Sequence, residues 1–312
     1  MRKILIGLLI VLCSLSFVGC SQENNTQAPE KTITIGVMPD VESIPFIIAQ
    51  KNGYFEKEGV KVIIEHFTSA KDRDSALQSG KLDGVITDMV AVLFANEGGI
   101  NLRMVARTDG NIELMAGKDS GISSTSELKG KDIGMSTNTI MEYSTDKMLE
   151  AAGLNPDEVK KVAIPPLPTR LEMLQGGKVT AAILPEPLAG LAVSNGAIVL
   201  NSTDQMANKA GAIAFTAKSL EENPEEIMAV LRAYNEAAGY LQKEPATGYI
   251  DFVIEEQGFP AEIKDSLRLP EYQQARLPEE HIFLDVVQWM QEKDLIKGTY
   301  EYKDLVDERI LR

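Results

Sequence analysis

The stretch LQSGKLDGVIT at 77–87 returns further along the chain as LQGGKVTAAIL at 174–184. In both copies a helix-like segment ends at glycine, a lysine follows, and an apolar run begins. A second match, Ile35-Gly36 with Ile133-Gly134, has an offset of 98 residues against 97 for the first. Two matches in nearly the same register predict that an α/β unit of roughly 100 residues occurs twice, which favours two lobes over one continuous sheet.

Strand-like and helix-like segments alternate through both copies. The strands are predicted from β-branched and apolar runs at 32–38, 60–67, 82–87, 102–107, 131–137, 159–165, 179–184, 197–200 and 211–218. Helices are predicted between them at 44–59, 72–80, 88–99, 141–153, 169–177 and 187–196. This alternation predicts an α/β fold with parallel strands and right-handed crossovers.

The C-terminal third is different, because helices dominate it. Pro224 opens a long predicted helix at 224–244, and another is predicted at 279–294. Helices that follow two α/β units are expected to pack onto an existing lobe. Trp289 lies at helical spacing from Ile282 and Val286, so we expect it to anchor a core rather than form a ligand cage.

The first 19 residues have the features of a secretory signal peptide. Arg2 and Lys3 precede an apolar run that is too short to span ~30 Å of hydrocarbon. The box FVGC (17–20) resembles that of bacterial lipoproteins, in which the cysteine becomes a lipidated N-terminus, although Phe17 stands where leucine is usual. We therefore expect Cys20 to anchor the protein in the membrane. The alternative is an ordinary signal peptide that is cleaved nearby.

The composition of the remaining chain limits the possible partners. Cys13 and Cys20 are the two cysteines, so cleavage before Cys20 leaves no disulfide and no thiol site in the folded body. Residues 20–31 are polar and predict a flexible tether. Loss of Arg2 and Lys3 takes the net charge from −15 to −17, which argues against a nucleic-acid partner. An anionic small ligand is not excluded, because it responds to the local pocket.

Five segments, in order along the chain, resemble the nitrate/sulfonate/taurine/thiamine-pyrimidine family of binding proteins for ABC importers. They are IAQKNGYFEKEGVKV (48–62), ELKGKDIGM (127–135), LQGGKVTAAILPEPLAGLA (174–192), FTAKSLEENPEEI (215–227) and LVDERIL (305–311). The resemblance covers nearly all of the chain after the tether. It says little about the ligand, because members of the family bind very different small molecules.

The resemblance implies a two-lobe, type II periplasmic-binding-protein-like fold with two hinge strands. We expect lobe 1 at 32–115 and 213–312, lobe 2 at 116–212, and hinges near Glu113–Ser120 and Asn208–Phe215. The implied function is that of a monomeric extracytoplasmic lipoprotein, which closes on a small molecule and delivers it to the permease and ATPase subunits of an ABC importer. The ligand would be a sulfonate- or nitrate-like anion or a thiamine-pyrimidine-like compound.

Polar residues at the ends of predicted strands are candidate ligand contacts. In open α/β sheets, ligands bind beyond the carboxyl ends of the strands, near the N-termini of helices. The candidates are Asp40, Ser43, Thr87, Asp88, Ser136, Thr137, Asn138, Tyr143 and Glu186. For Ser43 and Asp88 the alternative is a role as a helix cap alone, and for Glu186 a role at the hinge or on the lobe surface.

Catalytic signatures are missing from the sequence. His66 and His281 are far apart and lack the carboxylate spacing of a metal site, and G-x-S-x-G, Walker A and G-x-G-x-x-G motifs do not occur. Fungal thiamine-pyrimidine synthases, which share the implied fold, use a cysteine-rich stretch, and no cysteine follows Cys20. We therefore expect no enzyme activity, metal or cofactor. Such a synthase, or a ligand-sensing module with a membrane anchor or output domain, is the alternative.

Overall fold

The computed structural model describes residues 31–311. The predicted signal peptide, Cys20 and all but the last residue of the predicted tether lie outside the described residues. The described chain forms two five-stranded sheets, each with helices on both faces. We call the sheet that contains the first strand, with its helices, the first lobe, and the other the second lobe. Between residues 31 and 311, no helix combines the length and apolar character needed to cross a membrane.

The first lobe begins with four strands and the helices between them. These elements are β1 (Thr32–Val37), α1 (Ile44–Lys51), α2 (Tyr54–Lys57), β2 (Lys61–His66), α3 (Ala70–Gln78), β3 (Gly84–Asp88), α4 (Met89–Glu97) and β4 (Leu102–Arg107). The single helix predicted at 44–59 is divided into α1 and α2. Gly53 adopts the left-handed conformation there, with φ of 70°, which interrupts the helix.

The second lobe repeats this succession, and the chain then returns to the first lobe. The second lobe contains β5 (Ile112–Ala116), β6 (Asp132–Met135), α5 (Ile140–Ala151), β7 (Lys160–Ala163), α6 (Leu167–Gln175), β8 (Ala181–Pro185), α7 (Leu188–Ser194) and β9 (Ile198–Ser202). The returning part contains β10 (Gly211–Thr216), α8 (Ala217–Glu222), α9 (Pro224–Lys243), α10 (Ile250–Gln257), α11 (Glu280–Glu292) and α12 (Tyr302–Leu305).

The two sheets have equivalent strand orders, β2-β1-β3-β10-β4 and β7-β6-β8-β5-β9. The prediction of two α/β lobes is therefore confirmed. The expectation of parallel strands is wrong for one strand of each sheet, because β10 is antiparallel to β3 and β4, and β5 is antiparallel to β8 and β9. Each antiparallel strand is the first one that the chain forms after it crosses from the other lobe.

The chain crosses between the lobes at residues 108–111 and 203–210. The predicted boundary after residue 115 lies inside β5, and the one after residue 212 lies inside β10. All of β5 pairs within the second sheet and all of β10 within the first. The predicted hinge Glu113–Ser120 therefore begins within β5, and the predicted hinge Asn208–Phe215 extends into β10. The lobe division proposed below uses the two crossovers instead.

Helices cover both faces of each sheet with buried apolar side chains. On one face of the first sheet, α1 packs against α9, with the rings of Phe46 and Tyr234 5.3 Å apart. On the other face, α4 packs against α11, where Trp289 and Phe283 are buried in one apolar cluster as the periodicity predicted. Burial of this apolar surface is the main stabilising contribution, at about 25 cal/mol per Å².

A buried arginine recurs in the two lobes. Arg73 donates from Nη1 to the carbonyl of Ile86 at 2.8 Å, and Arg170 donates from Nη1 to the carbonyl of Ile183 at 2.8 Å. Both pairs are separated by 13 residues, and they are related by the same offset as the repeated sequence. In each lobe, this bond ties the helix before the third strand of the repeated unit to that strand.

Candidate ligand-binding cleft

The carboxyl edges of the two sheets meet at the crossovers. β4 is parallel to β1 and β3, so its C-terminal end and segment 108–111 lie at the carboxyl edge of the first sheet. This segment enters β5, which is antiparallel to β8 and therefore starts at the carboxyl edge of the second sheet. An open α/β fold binds its ligand beyond these edges, so the candidate cleft lies beside the crossovers.

The loop after β1 is held by its own hydrogen bonds. Asp40 Oδ1 accepts the backbone N–H groups of Glu42 at 3.0 Å and Ser43 at 3.2 Å, and burial raises the pKa of Asp40 to about 6. Ser43 is buried, with its Oγ 2.9 Å from the carbonyl oxygen of Met38 and 2.5 Å from the amide nitrogen of Gln257. Ser43 thus stabilises the loop, and we leave it out of the ligand contacts proposed below.

Glu42 is a residue of this loop that sequence reasoning missed. Its carboxyl accepts a hydrogen bond from Thr108 Oγ1 in the first crossover. The side chain also lies against Gly110 and Gly211, where an added Cβ would overlap it. Burial and the neighbouring carboxyl of Asp40 raise the pKa of Glu42 to about 8. Glu42 therefore links the loop after β1 to the first crossover and to the start of β10.

Asp88 brings a third carboxyl group to the same edge. It ends β3, directly opposite Gly211 of β10. Its Oδ1 accepts the N–H of Ala91 at 2.9 Å and so caps α4, and burial raises its pKa to about 6. The charges of Asp40 and Asp88 both contribute to the raised pKa of Glu42, so the three carboxyl groups are electrostatically coupled.

Thr87 precedes Asp88 and lies elsewhere. Its side chain is buried and lines a groove between α3 and α4, together with Phe94 and Leu102. Successive side chains of a strand point to opposite faces of the sheet, which separates Thr87 from its neighbour. We leave Thr87 out of the proposed contacts for this reason.

The loop between β6 and α5 supplies the second lobe's side of the cleft. Thr137 and Asn138 are exposed, and Asn138 has φ of 56°, a left-handed conformation in which asparagine is enriched. The backbone N–H of Asn138 donates to Glu142 Oε2 at 2.6 Å. Ser136 Oγ accepts from Arg170 Nη2 at 2.5 Å. Thr137 and Asn138 therefore lie exposed at the carboxyl edge, whereas the hydroxyl of Ser136 already accepts a hydrogen bond from Arg170.

Tyr143 is buried between the lobes. Its hydroxyl donates to Asp285 at 2.7 Å and lies 3.0 Å from the amide nitrogen of Asn208. The ring packs edge to face against Trp289, with the centroids 5.6 Å apart. These contacts occupy Tyr143 in the interface between α5 and α11, so it is not among the ligand contacts that we propose.

Glu186 is buried where β8 ends, in an ion pair that joins the lobes. Its Oε1 lies 2.6 Å from Arg268 Nη2, and Glu113 of β5 pairs with the same atom at 2.7 Å. Its Oε2 accepts the N–H of Gly190 at 3.2 Å. Burial raises the pKa of Glu186 to about 7. Arg268 comes from the C-terminal part of the chain, so this ion pair occupies Glu186 in a contact between the lobes, and we leave Glu186 out of the ligand contacts proposed below.

The cleft is acidic where the first lobe contributes to it. Asp40, Glu42 and Asp88 lie there, while the nearby ammonium group of Lys209 is 2.5 Å from a carboxylate oxygen of Asp204. At neutral pH the carboxylates of Asp40 and Asp88 accept hydrogen bonds from N–H donors, attract positive charge and repel oxyanions, whereas Glu42 is largely protonated. Within residues 31–311, no group of three or more His, Cys, Asp or Glu side chains is arranged to hold a metal ion.

Curated relatives cover about three quarters of the chain. A protein of Brachyspira hyodysenteriae, assigned as an ABC transporter periplasmic binding protein, is 24% identical over 78% of this chain and 75% of its own length. A Bacillus subtilis protein, assigned to bind aliphatic sulfonates, is 25% identical over 78% and 75%. A 4-amino-5-hydroxymethyl-2-methylpyrimidine phosphate synthase of Schizosaccharomyces pombe is 25% identical over 67% and 65%.

Solved structures share the fold at lower identity. The alkanesulfonate-binding protein SsuA of Xanthomonas axonopodis pv. citri superposes with a TM-score of 0.76 and 17% identity, over 90% of this chain and 99% of its own. The periplasmic nitrate-binding protein NrtA of Synechocystis PCC 6803 superposes with a TM-score of 0.74 and 14% identity, over 91% and 88%. These structures confirm the periplasmic-binding-protein-like fold. The model of the NMT1/THI5-like family matches residues 40–247, and the chain therefore belongs to that family.

Proposed function

We propose that the protein is an extracytoplasmic solute-binding protein, which captures one small molecule and delivers it to the permease and ATPase subunits of an ABC importer. The observation that carries this proposal is the cleft, where two sheets of equivalent strand order meet at their carboxyl edges beside two short crossovers. The relatives assigned as binding proteins support the same function. We further propose that the protein acts as a monomer and that lipidated Cys20 holds it on the membrane.

Capture requires that the lobes move relative to each other. We propose a first lobe at 31–107 and 211–311 and a second lobe at 112–202, with movement at the two crossovers. A few residues at the ends of elements can absorb the backbone rotation of a hinge. Glu42 contacts the first crossover at Thr108 and Gly110 and the start of β10 at Gly211, so its protonation state affects the surroundings of the hinge.

The charge of the cleft favours one of the two expected ligand classes. A sulfonate or nitrate would have to approach Asp40, Glu42 and Asp88, whose raised pKa values reflect the cost of burying negative charge. A nitrogen base with N–H donors or a positive charge would relieve that cost. We therefore propose a thiamine-pyrimidine-like ligand, or another small nitrogen base, held by these carboxyl groups and by Thr137 and Asn138 across the cleft.

An enzyme is the second candidate, because the synthase of Schizosaccharomyces pombe is among the relatives. That reading would require groups that react with the bound molecule. The chain has no cysteine after Cys20. His66 ends β2 beside Val37, at the carboxyl edge of the first sheet, and its Nε2 lies 3.8 Å from a carboxylate oxygen of Glu256. We infer that the protein binds its ligand without converting it.

Thermal unfolding with a ligand panel tests this proposal. The panel contains 4-amino-5-hydroxymethyl-2-methylpyrimidine, thiamine, taurine and nitrate. A ligand at a hundredfold excess over its Kd stabilises the folded state by ~2.7 kcal/mol, so binding raises the Tm. We expect a nitrogen base to raise the Tm and taurine and nitrate to leave it unchanged.

Mass spectrometry of the recovered ligand completes the test. We expect the same mass before and after incubation with the protein. A Tm increase with taurine or nitrate alone would overturn the proposed ligand class but keep the transport function. A changed ligand mass would instead support the enzyme.

A further inference from the structure

Helix α5 of the second lobe and α11 of the first lobe meet in a contact made largely of charged and aromatic side chains. Tyr143 and Trp289 pack edge to face at 5.6 Å, and Trp289 Nε1 donates to Asp146 at 3.0 Å. Asp285 accepts from the Tyr143 hydroxyl at 2.7 Å and from Lys147 at 2.8 Å. Each of these pairs joins one lobe to the other, and the Tyr143 hydroxyl also lies 3.0 Å from the amide nitrogen of Asn208 in the second crossover.

Glu142 connects this contact to the loop after β6. One carboxyl oxygen accepts the backbone N–H of Asn138 at 2.6 Å. The other lies 2.9 Å from Lys161 of β7 and 2.9 Å from Lys293, which follows α11. Burial opposes ionisation, but the hydrogen bonds from Asn138 and the two lysines lower the pKa of Glu142 to about 2, so it is charged. Of its two lysines, only Lys293 belongs to the other lobe.

We propose that the α5–α11 contact is a latch that holds the lobes together, and that Glu142 links this latch to the loop at 136–138. Its charged groups are satisfied across the contact and are solvated by water when the contact opens, so separation leaves few groups unpaired. Tyr143 and Trp289 supply the apolar surface that favours docking. The ligand-binding role of the loop rests on the proposed function, whereas the latch does not.

The latch contains a tryptophan that can serve as a fluorescence probe. Trp289 is the only tryptophan of the chain, and it is 5% exposed. The access of acrylamide to its ring therefore reports whether the contact is closed, whereas its emission wavelength also responds to the Lys293 ammonium group, 5.3 Å from the ring centroid. Lys161 and Lys293 each pair with both Glu142 and Asp146, but Lys161 lies in the same lobe as these carboxylates. The variants Lys161→Met and Lys293→Met remove similar charge and differ in whether the lost pair crosses between the lobes.

We expect Lys293→Met to increase the quenching of Trp289 by acrylamide and to enlarge the radius of gyration in solution scattering. Lys161→Met should retain the wild-type quenching and radius. Lys303→Met, which removes a surface pair with Glu301, is the matched control in the same part of the chain. Equal shifts in Lys161→Met and Lys293→Met, or none in Lys293→Met, would overturn the latch.

Hydrogen exchange at the Asn138 amide tests the link to the loop. We expect this amide to exchange faster in Lys293→Met than in wild type. Exposure of Trp289 without faster exchange would overturn the link and leave the latch. Far-UV circular dichroism establishes that each variant folds, and Tyr143→Phe, which loses the hydroxyl bonds to Asp285 and Asn208, replaces Lys293→Met if that variant does not fold. No ligand is added, so failure here is separate from failure of the proposed function.

Discussion

Asp88 performs two roles that a single substitution can separate. Its Oδ1 caps α4 through the N–H of Ala91, while its negative charge acts on Glu42 and on any ligand in the cleft. Asparagine caps a helix about as well as aspartate, so Asp88→Asn removes the charge and retains the cap. We expect the variant to bind a nitrogen base ~10- to 100-fold more weakly, since a hydrogen bond to a charged group contributes ~1.5–3 kcal/mol.

Calorimetric titration with the compound that raises the Tm measures this change. Asp72→Asn is the control, because Asp72 lies in the first turn of α3, is exposed, and accepts a hydrogen bond from Ser69. It should bind like wild type. If both variants lose affinity equally, the carboxyl edge of the first sheet is not the site.

Glu42 should make stability depend on pH. An acid with a higher pKa in the folded chain than in the unfolded chain takes up protons on folding, so the free energy of unfolding falls as pH rises between those values. For Glu42 that window runs from 4.5 to about 8. We expect denaturant titrations to show less stability at pH ~8 than at pH ~5, and Glu42→Gln to reduce this slope by at most ~1.4 kcal/mol per pH unit.

The exposed Glu262 provides the matched substitution. Glu262→Gln should keep the wild-type pH dependence. A slope in Glu42→Gln that equals the wild-type slope would mean that the carboxyl of Glu42 titrates normally. The raised pKa values of Asp40 and Asp88 add a similar fall at lower pH, from 3.8 to about 6, and this part should remain in Glu42→Gln.

At the residue scale, sequence reasoning found the groups whose position depends on nearby residues. Asp40 lies three residues after the end of β1 and Asp88 is the last residue of β3, so their place at the carboxyl edge could be inferred from the sequence. Glu42 was missed because its importance comes from a crossover more than 60 residues away, at Thr108. The surroundings of Tyr143 depend on α11, which is separated from it by 142 residues at Asp285 and gives no signal in the local sequence.

At the scale of elements, an irregular segment at 266–278 makes several long-range contacts. It has no strand or helix, yet it contacts the first crossover, where the N–H of Gln273 donates to Asp109 at 2.8 Å. The hydroxyl of Tyr272 donates to the carbonyl of Val41 at 2.8 Å. Arg268 reaches the second lobe. The segment therefore joins the loop after β1, the crossover and the second sheet.

Removal of the Arg268 side chain should lower the free energy of unfolding, by an amount that depends on pH. Arg268→Met leaves Glu113 and Glu186 buried without their cation, and breaking a fully buried pair costs ~3–5 kcal/mol. Arg268 is 43% exposed, so we expect about half of that loss at pH ~8. The pKa of Glu186 is already raised to about 7, and protonation should therefore reduce the loss at pH ~5.

Denaturant titrations of Arg268→Met and Arg232→Met at both pH values check this expectation. Arg232 pairs with Glu58 at the surface, and such pairs contribute ~0–1 kcal/mol. Arg232→Met should therefore unfold nearly like wild type. A small loss in Arg268→Met at pH ~8 would show that the two glutamates stay protonated or solvated without the arginine.

Most elements could be predicted because each carries its own pattern. β4, for example, begins and ends where its β-branched and apolar run predicts, at Leu102 and Arg107. β5 was missed, since IELMA is short and lacks the alternation of a half-buried strand. Its pairing with both β8 and β9 is what makes it a strand. Sequence patterns therefore located the parallel strands and β10, which was predicted at 211–218, but not β5, the strand that the second lobe forms after the first crossover.

At the scale of the whole molecule, the repeat at an offset of 97 predicted the two lobes, and the order of strands confirms them. The repeat does not predict the exchange of strands between the lobes, in which β5 joins the second sheet and β10 joins the first. This exchange puts the antiparallel strand of each sheet beside a crossover. The lobe boundaries predicted after residues 115 and 212 fall inside β5 and β10, because the repeat carries no signal for this exchange.

The proposed function requires the protein to stay close to the importer that receives its ligand. We propose that lipidated Cys20 keeps it there. A diffusing binding protein would be lost from a cell surface, whereas two acyl chains on one cysteine give stable membrane binding. We expect the wild-type protein to fractionate with membranes and Cys20→Ala to be released into the soluble or secreted fraction. Cys13→Ala, which changes the other cysteine inside the predicted signal peptide, is the control and should stay with the membrane.

Because residues 31–311 form the folded body without either cysteine, the released Cys20→Ala protein should show the same ligand-induced Tm increase as wild type. Equal retention of wild type and Cys20→Ala would mean that something other than this cysteine holds the protein, and release of both would mean that no lipid is attached.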